Sequence, residues 1–286
     1  MGNIELAKRL VAELTPEQRA NLDQHLLGMI ADDAESKRSR YEIELASSYM
    51  DEAKKLRDNW GKMQGLSTGY NRIDRLMLGL VGGEVSVIAG ATSQGKTALA
   101  VNITARVVAQ GIPVLFVTLE MTKAQLTSRL LYADPNFEDN ASLVVYQKHN
   151  ELDWQSIHGL IYNAAKQMDV KLVVIDHLHY FTRELEKLSE DLGRITKEFK
   201  RNAVDYDLPV LLISHIRKLQ KGSKASIDDL RGSSYIAQDA DVVLMVEQVD
   251  TGQLVVTCEK NRNRGVDFKN NIEFLEFDRT RISERV

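Results

Sequence analysis

The chain has 286 residues, enough for one large α/β domain with an appendage or for two small domains. Its net charge of −4 and pI of about 5.9 exclude a globally basic surface, so any nucleic-acid site has to be a local basic patch. A hydrophobic share of 43% and a charged share of 27% fit a soluble globular protein, and a single cysteine excludes an internal disulfide framework.

No run of 18 apolar residues is present, which predicts no membrane span. The N-terminus, M-G-N-I-E-L-A-K-R-L, has no apolar signal core, and with the lone Cys258 this predicts a cytoplasmic location. Cys258 lies in an apolar strand-like run and reads as a buried structural residue. The six histidines are scattered and make no metal-ligand spacing.

Residues 1–38 read as a small helical segment. Ile4, Leu10, Val11 and Leu14 recur at helical spacing, and Thr15-Pro16-Glu17-Gln18 is a helix start, with Thr15 as N-cap, Pro16 at the first position and Gln18 closing a capping box. Leu22, Leu26, Leu27 and Ile30 continue one face until the charges of Asp32 to Arg40 break it. Residues 39–64 form a second segment. A helix over about Tyr41–Trp60 places Tyr41, Leu45, Tyr49 and Leu56 on a narrow stripe. It has too few apolar residues for a core of its own and either packs back on its own domain or docks on a neighbouring subunit.

Residues 65–286 alternate apolar strands with helices. The predicted strands are Val85–Ala89, Val114–Thr118, Leu143–Tyr146, Leu172–Ile175, Val210–Ser214, Val242–Val246, Leu254–Glu259 and Ile272–Phe277. The predicted helices are Thr97–Gln110, Lys123–Tyr132, Asp153–Gln167 and Ser189–Asp205. Continuous apolar strands separated by helices predict an α/β fold with a mostly parallel central sheet covered on both faces. The last three strands follow one another without helices, which predicts an antiparallel edge.

The motif with the most specific chemistry is Gly90-Ala91-Thr92-Ser93-Gln94-Gly95-Lys96-Thr97, a complete phosphate-binding loop between a strand and a helix. A glycine-rich turn there aims several backbone N–H groups at one point, and the helix dipole adds positive potential. Lys96 then reaches the β/γ-phosphates, and the Thr97 hydroxyl is placed to bind Mg²⁺.

Other chemistry gathers at strand ends. Asp176 closes the run L-V-V-I-D, where a carboxylate orients Mg²⁺ and its water. Glu120, in T-L-E-M, is placed either as a general base or as the acidic start of a helix. His215 follows the strand Val210–Ser214, at a position for contact with a γ-phosphate or for a structural histidine. Arg217, Lys218, Lys221, Gly222 and Lys224 make a basic loop after it, fit for phosphate-backbone contacts or for plain solvation. Lys260, Arg262 and Arg264 cluster in E-K-N-R-N-R-G, either as a cation source for phosphoryl transfer in the same or a neighbouring chain or as a charged hairpin turn.

Taken together, these motifs resemble the hexameric replicative DNA helicases: the DnaB family, the phage primase-helicases and the mitochondrial helicase Twinkle. The resemblance runs from G-L-S-T-G-Y-N-R-I-D (Gly65–Asp74) to Asp278. Besides the phosphate loop it includes T-L-E-M, V-V-I-D-H-L, L-P-V-L-L-I-S-H, D-L-R-G-S, Q-D-A-D and K-N-R-N-R-G in order.

The resemblance implies a RecA-like P-loop NTPase core preceded by a reduced helical segment. It implies ATP or another NTP with Mg²⁺ as cofactors and a homo-hexamer ring on single-stranded DNA. It also implies a primase or helicase loader as partner, and a place in the bacterial or phage-infected cytoplasm, at the nucleoid. By the same resemblance Lys96 and Thr97 hold phosphate and Mg²⁺, Glu120 is the base, Asp176 is the second metal-site carboxylate and His215 is the γ-phosphate sensor. Arg262 is an arginine finger given to a neighbour's site, with Lys260 beside it. Phe277 stacks on the base, and the loop after His215, with Arg231 and Gly232, contacts DNA. Two other readings remain open at this point: a RadA-like DNA-dependent ATPase of recombination or signalling without unwinding, and a non-enzymatic adaptor.

Overall fold

The structure is a computed structural model. It describes residue 15 and residues 45–59, 62–134, 137, 143–147, 154–178, 188–216, 226–230, 233–249, 252–262, 271–278 and 280–284. The chain divides into two units, Met1–Asp58 and Asn59–Val286.

In the first unit, Thr15 is outside any helix or strand, and Pro16 and Gln18 lie outside the described residues. Of the helix expected over Tyr41–Trp60, Tyr41 and Trp60 lie outside the described residues, and the described part is in two pieces. A 3-10 turn, Ala46–Tyr49, leads into α1, Met50–Asp58. No residue of either piece is buried, and Leu45, Tyr49, Met50 and Leu56 are exposed.

The second unit holds the sheet. Its strands are β1 (Val85–Gly90), β2 (Val114–Thr118), β3 (Leu143–Gln147), β4 (Leu172–Asp176), β5 (Val210–His215), β6 (Val242–Val249), β7 (Gln253–Asn261), β8 (Ile272–Asp278) and β9 (Arg281–Ser283). Their spatial order is β3-β2-β4-β5-β1-β6-β7-β8-β9. The pairs from β3 to β6 are parallel, and β6 to β9 are antiparallel, as the loss of intervening helices predicts.

The helices of this unit are α2 (Asn71–Met77), α3 (Lys96–Ala109), α4 (Lys123–Ala133), α5 (Trp154–Gln167), α6 (Leu188–Tyr206) and α7 (Ser233–Asp239). Strand side chains alternate between two cores, as a period of two requires. Ile88, Phe116, Val174, Ile213 and Leu244 pack with α2, α3 and α4. Val87, Leu115, Val173, Leu212 and Val243 pack with α5, α6 and α7 on the other face. Cys258 is buried in the first core. No helix among the described residues is long and apolar enough to cross a membrane.

The parallel strands end together. Thr118 pairs with Asp176, and Gly90 pairs with His215. In such a sheet ligands bind beyond the carboxyl ends of the strands, where the connections diverge to the two faces.

Candidate nucleotide site

The turn from β1 into α3 depends on two glycines. A Cβ on Gly90 would stand 2.4 Å from the Val246 carbonyl oxygen, a backbone atom that cannot swing aside. Gly95 has φ +86° and lies against Leu254, whose Cδ2 would be 2.7 Å from a Cβ. Gly90→Ala is therefore expected to cost about 2–4 kcal/mol through overpacking and backbone shift. Thermal unfolding checks this, and an unchanged melting temperature would contradict it.

Gly95 is the N-cap of α3 and makes no side-chain cap bond, and the first turn has no acid. The leading N–H groups of α3 thus face the loop without an internal acceptor, the arrangement that favours phosphate. Lys96 is buried and lies across the loop, its Nζ donating to the Ala91 carbonyl at 2.7 Å. Burial pushes its ammonium down to about 8, against the opposing pull of Asp176 and Glu120.

The Thr97 hydroxyl donates to Asp176 Oδ1 at 3.3 Å. Asp176 is fully buried, and its Oδ2 has no hydrogen-bond partner among the described residues. A carboxylate oxygen held dry and unpaired beside a hydroxyl fits a hard cation such as Mg²⁺, which takes one or two protein oxygens and completes its shell with phosphate and water. Burial first, and Glu120 second, push the Asp176 carboxyl up to about 6, while the Thr97 hydroxyl, Lys96 and Arg129 act the other way.

A carboxyl raised from 3.8 to about 6 holds its proton in the folded chain where the unfolded chain has lost it. Its contribution to stability therefore falls as pH rises from about 4 to about 6. A cation binds the ionised form and offsets that loss. Mg²⁺ with nucleotide is expected to raise the melting temperature more at about pH 7.5 than at about pH 5. Equal shifts in calorimetric scans at both pH values would contradict this.

Glu120 does not start a helix. The N-cap of α4 is Thr122, in a reciprocal capping box with Gln125. Glu120 instead lies in a tight turn that Thr118 holds, its hydroxyl accepting from the Met121 N–H at 3.2 Å and donating to the Met121 carbonyl at 3.0 Å. Leu119 N–H donates to the Asp176 carbonyl at 2.9 Å, which ties the ends of β2 and β4. Glu120 Oε2 is 3.7 Å from Nε2 of His177, and the His177 and His215 rings meet edge to face at 4.5 Å. His177 stands in the run V-V-I-D-H-L, but the sequence assigns it no role, because its partners come from distant segments of the chain.

The β6–β7 hairpin borders the phosphate loop. Gln94 Oε1 accepts the Gln248 N–H at 2.7 Å, and Leu254 packs on Gly95. Phe277 N–H donates to the Gly252 carbonyl of this hairpin at 2.7 Å, so Phe277 lies one strand beyond the loop's wall, half-buried against the core.

Lys260 and Arg262 are elsewhere. Lys260 Nζ caps α7, donating to the carbonyls of Ala237 at 2.6 Å, Gln238 at 3.2 Å and Ala240 at 2.6 Å. Arg262 donates to Asp241 Oδ1 at 2.9 Å and to the Gln238 carbonyl. Asp241 also accepts from Val85 N–H at 2.8 Å and from Lys200 at 2.7 Å. This cluster is at the opening residue of β1, about 17 Å along the strand from Gly90 at 3.3 Å per residue. The structure thus brings together Lys96, Thr97, Glu120, Asp176 and His215, and sets Lys260 and Arg262 apart from them. Arg217, Lys218, Lys221, Lys224, Arg231, Gly232 and Arg264 lie outside the described residues.

Residues 65–157 and 138–275 match the family described as the DnaB-like helicase C-terminal domain. The chain is similar to a probable replicative DNA helicase of Trieres chinensis, 29% identical over 262 residues, 75% of this chain and 57% of that protein. It therefore spans little more than half the length of that curated relative. In fold it is similar to an ATPase domain solved on its own, with a TM-score of 0.72 and 18% identity over 86% of this chain and 100% of that one. It is also similar to a DnaB-like replicative helicase solved for its interactions with primase, with a TM-score of 0.68 and 18% identity over 85% of this chain and 67% of that one. The mostly parallel sheet is that of the RecA-like ATPase domains, and the chain belongs to the DnaB-like helicase C-terminal domain family.

Proposed function

We propose that the chain is an ATP-dependent replicative DNA helicase that assembles as a homo-hexameric ring on single-stranded DNA and hydrolyses ATP between subunits. One observation carries this reading: a phosphate loop with buried Lys96 stands beside the Thr97–Asp176 pair and within electrostatic reach of Glu120. The names of the relatives support replication as the setting, and the family supports nucleotide use. The primase in the description of the structural relative supports a primase as partner.

In this reading the N–H groups of Gly95, Lys96 and Thr97 and the Lys96 ammonium hold the β/γ-phosphates. Thr97 and Asp176 would hold Mg²⁺, which when bound would neutralise phosphate charge there. Glu120 takes the proton of the attacking water, and His215 contacts the γ-phosphate from the adjoining strand. Phe277 stands beside the base. Arg262 serves a neighbour's site with Lys260 next to it, which agrees with their distance from Lys96 in their own chain. The basic residues Arg217, Lys218, Lys221, Lys224 and Arg231, with Gly232, hold the DNA backbone. The segment before residue 65 docks on the neighbouring subunit through its exposed Tyr49 and Leu56.

The test is Mg²⁺-dependent ATP hydrolysis with and without single-stranded DNA, with displacement of one strand of a fork. DNA-stimulated turnover with displacement is expected. DNA-stimulated turnover without displacement would overturn the helicase reading in favour of a DNA-dependent ATPase. No turnover would overturn both.

A further inference from the structure

β2, β4 and β5 are neighbours in that order; Glu120 and His177 follow the ends of β2 and β4, and His215 is the last residue of β5. Neighbouring strands are about 4.8 Å apart, so the exits of β2 and β5 are separated by about 10 Å. The residue that follows the middle strand lies between the other two. His177 is buried, its Nε2 is 3.7 Å from Glu120 Oε2, and its ring meets that of His215 edge to face at 4.5 Å with an 81° interplanar angle. Glu120 is half exposed, so packing alone leaves its carboxylate free to swing.

We propose that His177 is a positioning residue that aims the Glu120 carboxylate and couples it to His215, so that the ring facing the γ-phosphate and the base facing the water move as one unit. This rests on the reading of Glu120 as base and His215 as phosphate sensor. His177 acts through these two neighbours. An edge-to-face ring pair prefers a narrow range of orientations, and a carboxylate at an imidazole edge prefers one direction. A shift of the His215 ring is therefore passed to Glu120.

The experiment is steady-state ATP hydrolysis with Mg²⁺ and single-stranded DNA for His177→Phe, His177→Gln, His215→Ala, the double variant His177→Phe/His215→Ala, and Glu120→Gln as reference. Phe keeps a ring against His215 and loses the polar edge toward Glu120. Gln keeps a donor for Glu120. His177→Phe is expected to lower kcat about tenfold with the KM for ATP within about twofold, as for a group that matters only in the transition state. His177→Gln is expected to recover part of that kcat. The double variant is expected to fall no further than its worse single parent, because the two residues act in one unit.

Multiplicative losses in the double variant would overturn the coupling. So would a His177→Phe protein that loses melting temperature, KM and kcat together with no gain in the glutamine variant, which is the behaviour of packing alone. If His177→Phe does not fold, the glutamine variant combined with His215→Ala carries the same cycle. An inactive Glu120→Gln beside fully active His177 variants would end this inference and leave the base assignment intact. An active Glu120→Gln would overturn the base assignment itself.

Discussion

Replacing Lys96 with alanine is expected to lower ATP turnover by at least about a thousandfold, since a pre-aimed cation on a transferring phosphoryl group is among the largest single contributions to such sites. The same replacement is expected to leave the melting temperature within a few degrees of the parent or above it. Lys96 is buried with its ammonium pushed down to about 8 from 10.5, mainly by burial. A base with a depressed folded value opposes folding at neutral pH and ceases to oppose it as pH rises from about 8 to about 10.5; the opposition is about 3 kcal/mol. Alanine removes it, at the cost of the lysine methylenes and the bond to Ala91. Turnover assays and thermal melts on one preparation check both halves. Normal turnover would sink the assignment of the loop, and a collapse in stability would mean that Lys96 serves the fold.

Arg262→Ala is expected to reduce hydrolysis by roughly a thousandfold or more, the usual size of an arginine finger's contribution, while costing about 1 kcal/mol or less of stability. The side chain is 46% exposed, which limits its pair with Asp241, and Asp241 keeps Lys200 and the Val85 N–H. The disparity between the two numbers separates the readings. A residue whose role is to anchor α7 and Asp241 would lose stability and activity in proportion. A finger given to a neighbour loses activity alone. Assay of pure variant rings, with melting curves, distinguishes them.

The strands were legible in the sequence because buried parallel strands read as uninterrupted apolar runs. Their apolar bounds stop one residue short: β1, β4 and β5 continue into Gly90, Asp176 and His215, which the motifs single out. Apolar patterning stops where the polar candidate residue begins, yet the ladder pairs Gly90 with His215 and Thr118 with Asp176. The helix α2 has no signature in the apolar pattern because its seven residues carry one polar anchor used from outside. Asp74 accepts from Ser67 Oγ, Thr68 N–H and Thr68 Oγ1, and the helix has no side-chain N-cap. The short helix α7 and strand β9 also went unread, since each is fixed by long-range contacts, β9 by pairing with β8 and by the Ile282 N–H donating to Asn102 Oδ1.

Within the candidate site, the strand–turn–helix around Gly90–Thr97 is legible because the motif fixes its spacing. Asp176 is legible as a strand-end carboxylate, while its orphaned oxygen beside Thr97 belongs to the fold alone. His177 and Asp241 stand in sequence motifs, but their contacts are not legible there, because their partners come from distant segments: Glu120 and His215 for one, Val85, Lys200 and Arg262 for the other.

The central claim is that one chain supplies Lys96, Thr97, Glu120 and Asp176, and another supplies Arg262. Co-assembly of Lys96→Ala chains with Arg262→Ala chains tests it most directly, because each pure ring is expected to be inactive. In a random equal mixture, a site works where an Arg262→Ala chain, with its loop intact, sits beside a Lys96→Ala chain, with its arginine intact. That arrangement holds at about one interface in four, so recovery toward about a quarter of parental hydrolysis is expected. Mixed assemblies that form and stay as inactive as the pure variants would contradict the shared site.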